Sequence, residues 1–264
     1  MVCVSLPSTV WAAKAKKKKT GYGVSARSAI LVDSSKGKKL YQKNANSKVL
    51  PASTTKIMTA LLVLEKLSLN KWVTVSRSAT LVQPSKAGLK TGERYRVSDL
   101  LYAILISSSN DASVVLAEAV SGSEWKFVQL MNKRAKQMGA HHTKFANSHG
   151  LPSKATQYTT AYDMYLIFRA ALKNSFFKKA TGYQHHTIRS ANGRKIGLKS
   201  HNTSLKKGWR RNVHGKTGYT RKAKSCFVGY INKGKDTLII SVFGCSRRWD
   251  DVKYIIRKHG GIQL

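Results

Sequence analysis

The stretch from Ile57 to Leu67 constrains this chain more than any other. Ile57, Met58, Ala60, Leu61, Leu62, Val63 and Leu64 make it apolar on nearly every face at helical spacing, and a helix apolar all round is a buried one. Pro51 just ahead suits a first-turn position. A core helix therefore starts behind Ser53-Thr54-Thr55-Lys56, and Ser53 stands at its N-terminal mouth. At 264 residues the chain is long enough for one large domain or two lobes sharing a core.

Other elements fall around that helix. Ala29-Ile30-Leu31-Val32 reads as a strand, Ser34 to Gly37 as a turn and Lys39 to Gln42 as a second strand. Ser98-Asp99 caps a helix running to Ile106, residues 107–110 interrupt it, and Ala112 to Val120 resume. Phe127, Leu130, Met131 and Ala135 give helical spacing up to Gly139, and Thr160 to Leu172 form another helix. Cys226 to Ile231 and Thr237 to Phe243 are β-rich runs around a hairpin at 232–235, and Trp249 to Lys258 is a terminal helix. The order predicts an α/β lobe built from both chain ends, with a helical lobe inserted at about 65–175.

Charge sets a second boundary condition. Lys and Arg number 48 against 11 Asp and Glu, a formal net charge of +37. Such an excess draws a protein to polyanions such as nucleic acid, anionic lipid or an acidic wall; general solubility chemistry is an equally open reading. The basic residues are spread along the chain, and no zinc-finger spacing, RRM signature or helix-turn-helix accompanies them, so no specific nucleic acid is expected. Met1 to Ala15, with Ala12, Ala13 and Ala15 near its end, resembles an export signal without a basic leading region. Residues 1–23 are accordingly expected to be a signal and basic lead-in, and 24–264 the folded domain. Cys226 and Cys245 permit a disulfide without implying one.

Three strings carry chemistry: Ser53-Thr54-Thr55-Lys56, Ser108-Ser109-Asn110 and Lys216-Thr217-Gly218. A serine needs a base before it attacks. Lys56 at i+3 shares a helix face with Ser53, and burial beside a second cation such as Lys216 would lower its pKa enough to make it that base. The Ser53 amide at a helix N-terminus and the Tyr219 amide can face an oxyanion. Ser108, at a helix break, can relay a proton to a leaving amine, and Asn110 can bond a substrate amide. Helix capping is an equally open account, and both can hold, with Ser109 or Asn110 capping the helix from Asp111 onward. Lys216 and Thr217 can hold a carboxylate at a strand edge open to an extended peptide, while Gly218 allows close backbone approach.

The ordered triple matches the S-x-x-K, S-x-N and K-T-G set of penicillin-recognising serine enzymes. The stretches Pro51 to Ala60, Thr91-Gly92-Glu93, Ser108 to Ala112, Phe127 to Asn132, Asn147 to Leu151, Thr159 to Asp163, Lys216 to Thr220 and Ser246 to Val252 resemble the D-alanyl-D-alanine carboxypeptidases, the low-molecular-weight penicillin-binding proteins. The resemblance implies a β-lactamase/DD-peptidase-like α/β (α+β) fold: an antiparallel five-stranded sheet flanked by helices, with an all-helical lobe inserted. It implies that Ser53 attacks the D-Ala-D-Ala end of a peptidoglycan stem peptide, with β-lactams as covalent mimics and no metal or cofactor. Export to the periplasm or the outer face of the cytoplasmic membrane is expected with it, and the charge leaves an anionic wall or membrane surface open as a further partner. An acidic residue often stands two or three places before K-T-G in that family; Val213 and His214 stand there here. With the chain ending at Leu264, the extra C-terminal β-domain and amphipathic helix of several relatives are not expected.

A class A β-lactamase shares much of the motif set but needs a deacylating glutamate, typically in E-x-x-x-N. No glutamate follows Glu124, and none of the four has Asn four places on, which disfavours that reading. A D,D-endopeptidase on cross-links uses the same site and stays open. A metal peptidase is disfavoured by the absence of H-x-x-x-H spacing. A non-catalytic polyanion binder has only the charge in its favour.

Overall fold

The computed structural model describes residues 23–264, so the export signal read at Met1 to Ala15 lies outside the described residues. The central sheet is antiparallel and five-stranded. Strands β1 (Ser28–Asp33) and β2 (Lys38–Lys43) come from the N-terminal end; β7 (His214–Thr220), β8 (Lys224–Lys233) and β9 (Asp236–Cys245) come from the C-terminal end. Their order is β2-β1-β9-β8-β7, which leaves β7 at one edge.

Strand periodicity explains the layers. Ile30 and Val32 of β1 point into one core while Ala29 and Leu31 point into the other, so every residue of β1 is buried. The second core is closed by α8 (Arg248–Gly260) through Val252, Ile255 and Ile256. The first is closed by α1 (Lys56–Lys66), buried from Lys56 to Val63 as the apolar run predicts, and by α6 (Ala161–Ala171).

Between α1 and α6 lie α2 (Arg77–Leu81), α3 (Val97–Ile106), α4 (Asn110–Ser121) and α5 (Glu124–Gln137). The inserted lobe is helical but not purely so, because β3 (Trp72–Thr74) pairs with β4 (Arg94–Arg96). Beyond α6 come α7 (Ser175–Ala180) and the hairpin of β5 (His185–Arg189) with β6 (Lys195–Lys199). Each strand of these ribbons buries a single residue: Val73 against Tyr95, and Ile188 or Leu198 in the hairpin. Strands of three or five residues give too short a run of alternation to stand out.

Two local expectations are corrected. Helix α3 begins at Val97 after Arg96 with no side-chain cap, so Ser98 and Asp99 lie inside its first turn. Ser109 takes the cap position of α4, but its hydroxyl pairs with Ser107 Oγ at 2.8 Å instead of capping. Cys226 and Cys245 are both free buried thiols, packed in different core layers.

Candidate active site

Ser53 lies in a single 3-10 turn, Ala52–Thr55, leading directly into α1. Pro51 accepts hydrogen bonds from Thr54 N at 3.2 Å and Thr54 Oγ1 at 2.7 Å, which shapes the turn. Ala52 is held at φ +47, a conformation costly for a residue with a Cβ. Gly150 packs against it so closely that a Cβ there would sit 1.9 Å from the Ala52 carbonyl oxygen.

Lys56, the first residue of α1, is fully buried. Its Nζ lies 3.3 Å from Ser53 Oγ and donates to Asn110 Oδ1 at 2.7 Å and to the His149 carbonyl at 2.9 Å. Burial holds its pKa well below the usual lysine value. The Lys216 charge pushes the same way, and Asp111 opposes it. A neutral amine has two N–H bonds, matching the two short acceptors, and its lone pair is then free for Ser53.

The break between α3 and α4 carries Ser108 at φ +62, a strained position for serine. Asn110 is buried and spans from Lys56 to the Gln83 carbonyl, to which Nδ2 donates at 2.7 Å. Next to it, the Asp111 carboxylate accepts backbone N–H bonds from Ala87, Gly88 and Leu89 at 3.0, 2.9 and 3.1 Å. Asn110 N donates to the Ser85 carbonyl at 2.8 Å. The helix break thus fastens the 83–89 segment, which brings Ser85 to the cleft.

The edge strand β7 forms the opposite wall. Lys216 is buried, and its Nζ donates to Ser108 Oγ and to the Thr217 carbonyl, each at 3.0 Å. Burial, reinforced by the Arg248 charge, pushes its pKa down to about 7. A Cβ at Gly218 would lie 3.1 Å from both Ala52 Cβ and Ser53 N, so the glycine lets the strand approach the Ser53 turn. Tyr219 is 63% exposed at the rim.

The cleft between these walls has a volume of about 300 Å³. Ser53, Ser108, Thr217, Gly218 and Tyr219 line it, together with Ser85, His201 and Arg248, and no carboxylate does. Lys56, Asn110 and Lys216 stand behind those lining residues. Arg248, at the start of α8, donates through Nη1 to the carbonyls of Gly218 at 3.3 Å and Cys226 at 3.2 Å. Sequence reasoning passed over Arg248 and His201, since one more cation in so basic a chain carries no local signal.

It also passed over what seats Lys56 from below. The Glu124 carboxylate accepts from Ser148 N at 2.9 Å and Ser148 Oγ at 2.6 Å. Asn147 Oδ1 accepts from Gly150 N at 2.6 Å. Together they hold the carbonyl of His149 toward Lys56. The His149 ring is neutral: its Nδ1 accepts from Leu151 N, and burial beside Lys56 pushes its pKa down to about 3. Among the described residues no cluster of three or more His, Cys, Asp or Glu is placed to hold a metal.

A family model described as D-alanyl-D-alanine carboxypeptidase matches residues 12–247. D-alanyl-D-alanine carboxypeptidase DacF of Bacillus subtilis (strain 168) is 40% identical over 227 residues, covering 84% of this chain and 58% of its own length. DacC of Escherichia coli (strain K12), also a D-alanyl-D-alanine carboxypeptidase, is 36% identical over 237 residues, covering 84% of this chain and 57% of its own. The chain therefore spans somewhat under two thirds of either relative. Among solved structures, the D-alanyl-D-alanine carboxypeptidase from Mycobacterium tuberculosis H37Rv aligns with a TM-score of 0.84 at 28% identity, over 94% of this chain and 97% of that one. The Streptomyces K15 DD-transpeptidase aligns at 0.84 and 27% identity, over 92% and 100%.

Proposed function

The chain belongs to the D-alanyl-D-alanine carboxypeptidase family, and from that premise we propose that it is a serine-type carboxypeptidase removing the terminal D-alanine of peptidoglycan stem peptides. The observation that carries the reading is Lys56: a buried amine with two short acceptors and its remaining valence directed at Ser53 Oγ.

Neutral Lys56 takes the Ser53 proton as Oγ attacks the penultimate D-alanine carbonyl. The oxyanion accepts from the amide N–H groups of Ser53 and Tyr219, drawn together by Gly218. The tetrahedral adduct then collapses. The C–N bond breaks, and the leaving amine takes its proton from protonated Lys56, with Ser108 as relay. Ser108 Oγ accepts from Lys216 Nζ here, which leaves its own hydroxyl proton free to pass to the leaving amine while the proton held by Lys56 replaces it. Water completes the cycle by attacking the acyl ester on Ser53. Lys216, Thr217 and Arg248 supply the charge and hydroxyl for the terminal carboxylate. Asn110 keeps Lys56 seated, with Oδ1 accepting from Lys56 and Nδ2 donating to the Gln83 carbonyl.

With no carboxylate lining the cleft to activate a deacylating water, β-lactams acylate Ser53 and stay. The enzyme acts outside the cytoplasm on the cell wall, and its charge of +37 draws it to anionic wall or membrane surfaces. D-Alanine release from a pentapeptide ending in D-Ala-D-Ala, run beside a cross-linked dimer, tests the reaction. Release from the pentapeptide and a penicillin adduct on Ser53, both lost in Ser53→Ala, are expected. Folded wild type giving neither overturns the reading.

A further inference from the structure

The segment leading into β7 reads Lys206-Lys207-Gly208-Trp209-Arg210-Arg211, four cations around one tryptophan. All four cations are exposed, and the indole is half-buried. The fold seats this segment at two points. Trp209 meets Trp249 of α8 edge-on, with ring centroids 6.2 Å apart, and packs against the core layer that α8 closes. Arg211 Nη1 donates to the Asn232 carbonyl in β8 at 3.3 Å. Lys253 Nζ of α8 stands 5.9 Å over the Trp209 ring, and Arg257 follows Lys253 one turn later on the same helix face. Segment and helix thus present one continuous surface carrying Lys206, Lys207, Arg210, Arg211, Lys253 and Arg257.

Little opposes that charge. None of these cations forms a salt bridge among the described residues. Of the two acids in α8, Asp251 is buried and accepts from Ser25 N at 2.8 Å, which leaves Asp250 as the exposed one. Like charges gathered on one surface repel one another, and an anionic partner relieves that repulsion. The aromatic component narrows the partner. A phosphodiester polymer asks only for cations, whereas an indole with one side in a core and the other among cations suits the headgroup level of a bilayer. Placement agrees. Helix α8 closes the core on one side of the sheet and α1 and α6 close the other, so a bilayer against the outer face of α8 leaves the α3–α4 wall of the cleft uncovered.

We propose that the 206–211 segment and the outer face of α8 form a docking surface for an anionic lipid bilayer. Lipid phosphates meet the cations, and Trp209 lies at headgroup level. This gives the general attraction of the charge a surface and a partner; it rests on the enzyme acting outside the cytoplasm and not on the reaction at Ser53.

The test is co-sedimentation of the full chain with vesicles of mixed phosphatidylglycerol and phosphatidylcholine, beside vesicles of phosphatidylcholine alone. Binding to the anionic vesicles only is expected. Each cation near such a surface contributes roughly fivefold, so combining Lys206→Ala, Lys207→Ala, Arg210→Ala and Arg211→Ala should weaken partitioning by roughly 100-fold or more. A control removes the same charge from the helical lobe, through Lys66→Ala, Lys126→Ala, Lys133→Ala and Lys136→Ala, and should weaken it by less than about fivefold. Tryptophan emission should shift to the blue on anionic vesicles, and Trp209→Phe should remove most of the shift. Penicillin acylation of Ser53 should stay at the wild-type rate in every variant, which shows the fold intact. Equal binding to both kinds of vesicle overturns the inference, as does an equal loss from the two fourfold variants, since net charge alone would then account for binding. So does an oligo(glycerol phosphate) that binds through the same four cations while the anionic vesicles do not. Because vesicle binding needs no turnover, failure of wild type to release D-alanine sinks the carboxypeptidase reading alone.

Discussion

Lys216 Nζ donates to Ser108 Oγ at 3.0 Å, joining the edge strand of the sheet to the helix break on the far wall of the cleft. The two residues lie 108 positions apart in the chain. Ser108 is held at φ +62 to make the contact. Strain of this kind costs about 1–3 kcal/mol and persists only where the surroundings over-determine it.

Substitution at Ser108 should therefore separate strain from chemistry. Glycine adopts that conformation freely, while alanine keeps the strain and loses the hydroxyl. Ser108→Gly is expected to be about 1 kcal/mol more stable than Ser108→Ala in denaturant unfolding. Both should lose the proton relay and acylate with penicillin about 10²-fold more slowly than wild type. An alanine variant acylating at the wild-type rate would remove Ser108 from the mechanism.

Lys56→Ala should slow acylation of Ser53 by about 10³-fold, the range of a general base. It also leaves Asn110 Oδ1 and the His149 carbonyl without their buried donor, which costs about 1–3 kcal/mol for each acceptor left unmet. Stopped-flow acylation together with thermal unfolding reads both effects. A variant that unfolds earlier yet acylates at full rate would make Lys56 structural only.

Two lysines with lowered pKa values give opposite limbs of one pH profile. Acylation needs Lys56 neutral, so rate rises with pH through its depressed pKa. Holding a carboxylate needs Lys216 charged, so binding falls as pH rises through about 7. For peptides with a free C-terminus, kcat/KM should fall above about pH 7; for C-terminal amides that alkaline fall should be absent. Stability follows the same protons. Between about 7 and the ordinary lysine value of 10.5 the unfolded chain binds a proton that folded Lys216 does not, so stability rises with pH across that window. Lys216→Met should flatten the rise in Tm between pH 7 and 9, and an unchanged slope would contradict the assignment.

What the sequence made legible was local or strongly patterned. Ser53 and Lys56 are three residues apart on an apolar helix, and both survive as a geometric pair. The placement of Lys216 to Gly218 on a strand edge followed from the adjoining hairpin. Asn110 was legible as part of a motif, but its grip on Lys56 was not. Contacts made by backbone atoms were invisible, above all the His149 carbonyl, since any residue type has one. Arg248 was hidden for a different reason: its partner carbonyl, Gly218, lies 30 positions earlier, and a lone Arg among 48 basic residues has no distinguishing pattern. The β5–β6 hairpin was missed although Ile196 and Leu198 alternate with Lys195, Gly197 and Lys199, because each strand is only five residues long and buries one residue.

Two glycines beside the Ser53 turn should fail in different ways when given a Cβ. At Gly150 the added atom would lie 1.9 Å from the Ala52 carbonyl oxygen and 2.8 Å from Thr55 Oγ1, at a φ of +87 that alanine also resists. Backbone cannot yield that far without moving the whole turn, so Gly150→Ala is expected to lose about 3–5 kcal/mol and lower Tm by about 10 °C. At Gly218 the nearest atoms are 3.1 Å away and φ is not left-handed, so a shift of a few tenths of an ångström suffices. Gly218→Ala should stay within about 1 kcal/mol of wild type. The same shift moves the edge strand away from Ser53 N, parting the two amide donors proposed for the oxyanion, and acylation should fall about tenfold. If Gly218→Ala acylated normally, the close approach of strand and turn would serve packing alone and the oxyanion assignment to the Tyr219 amide would have to be withdrawn.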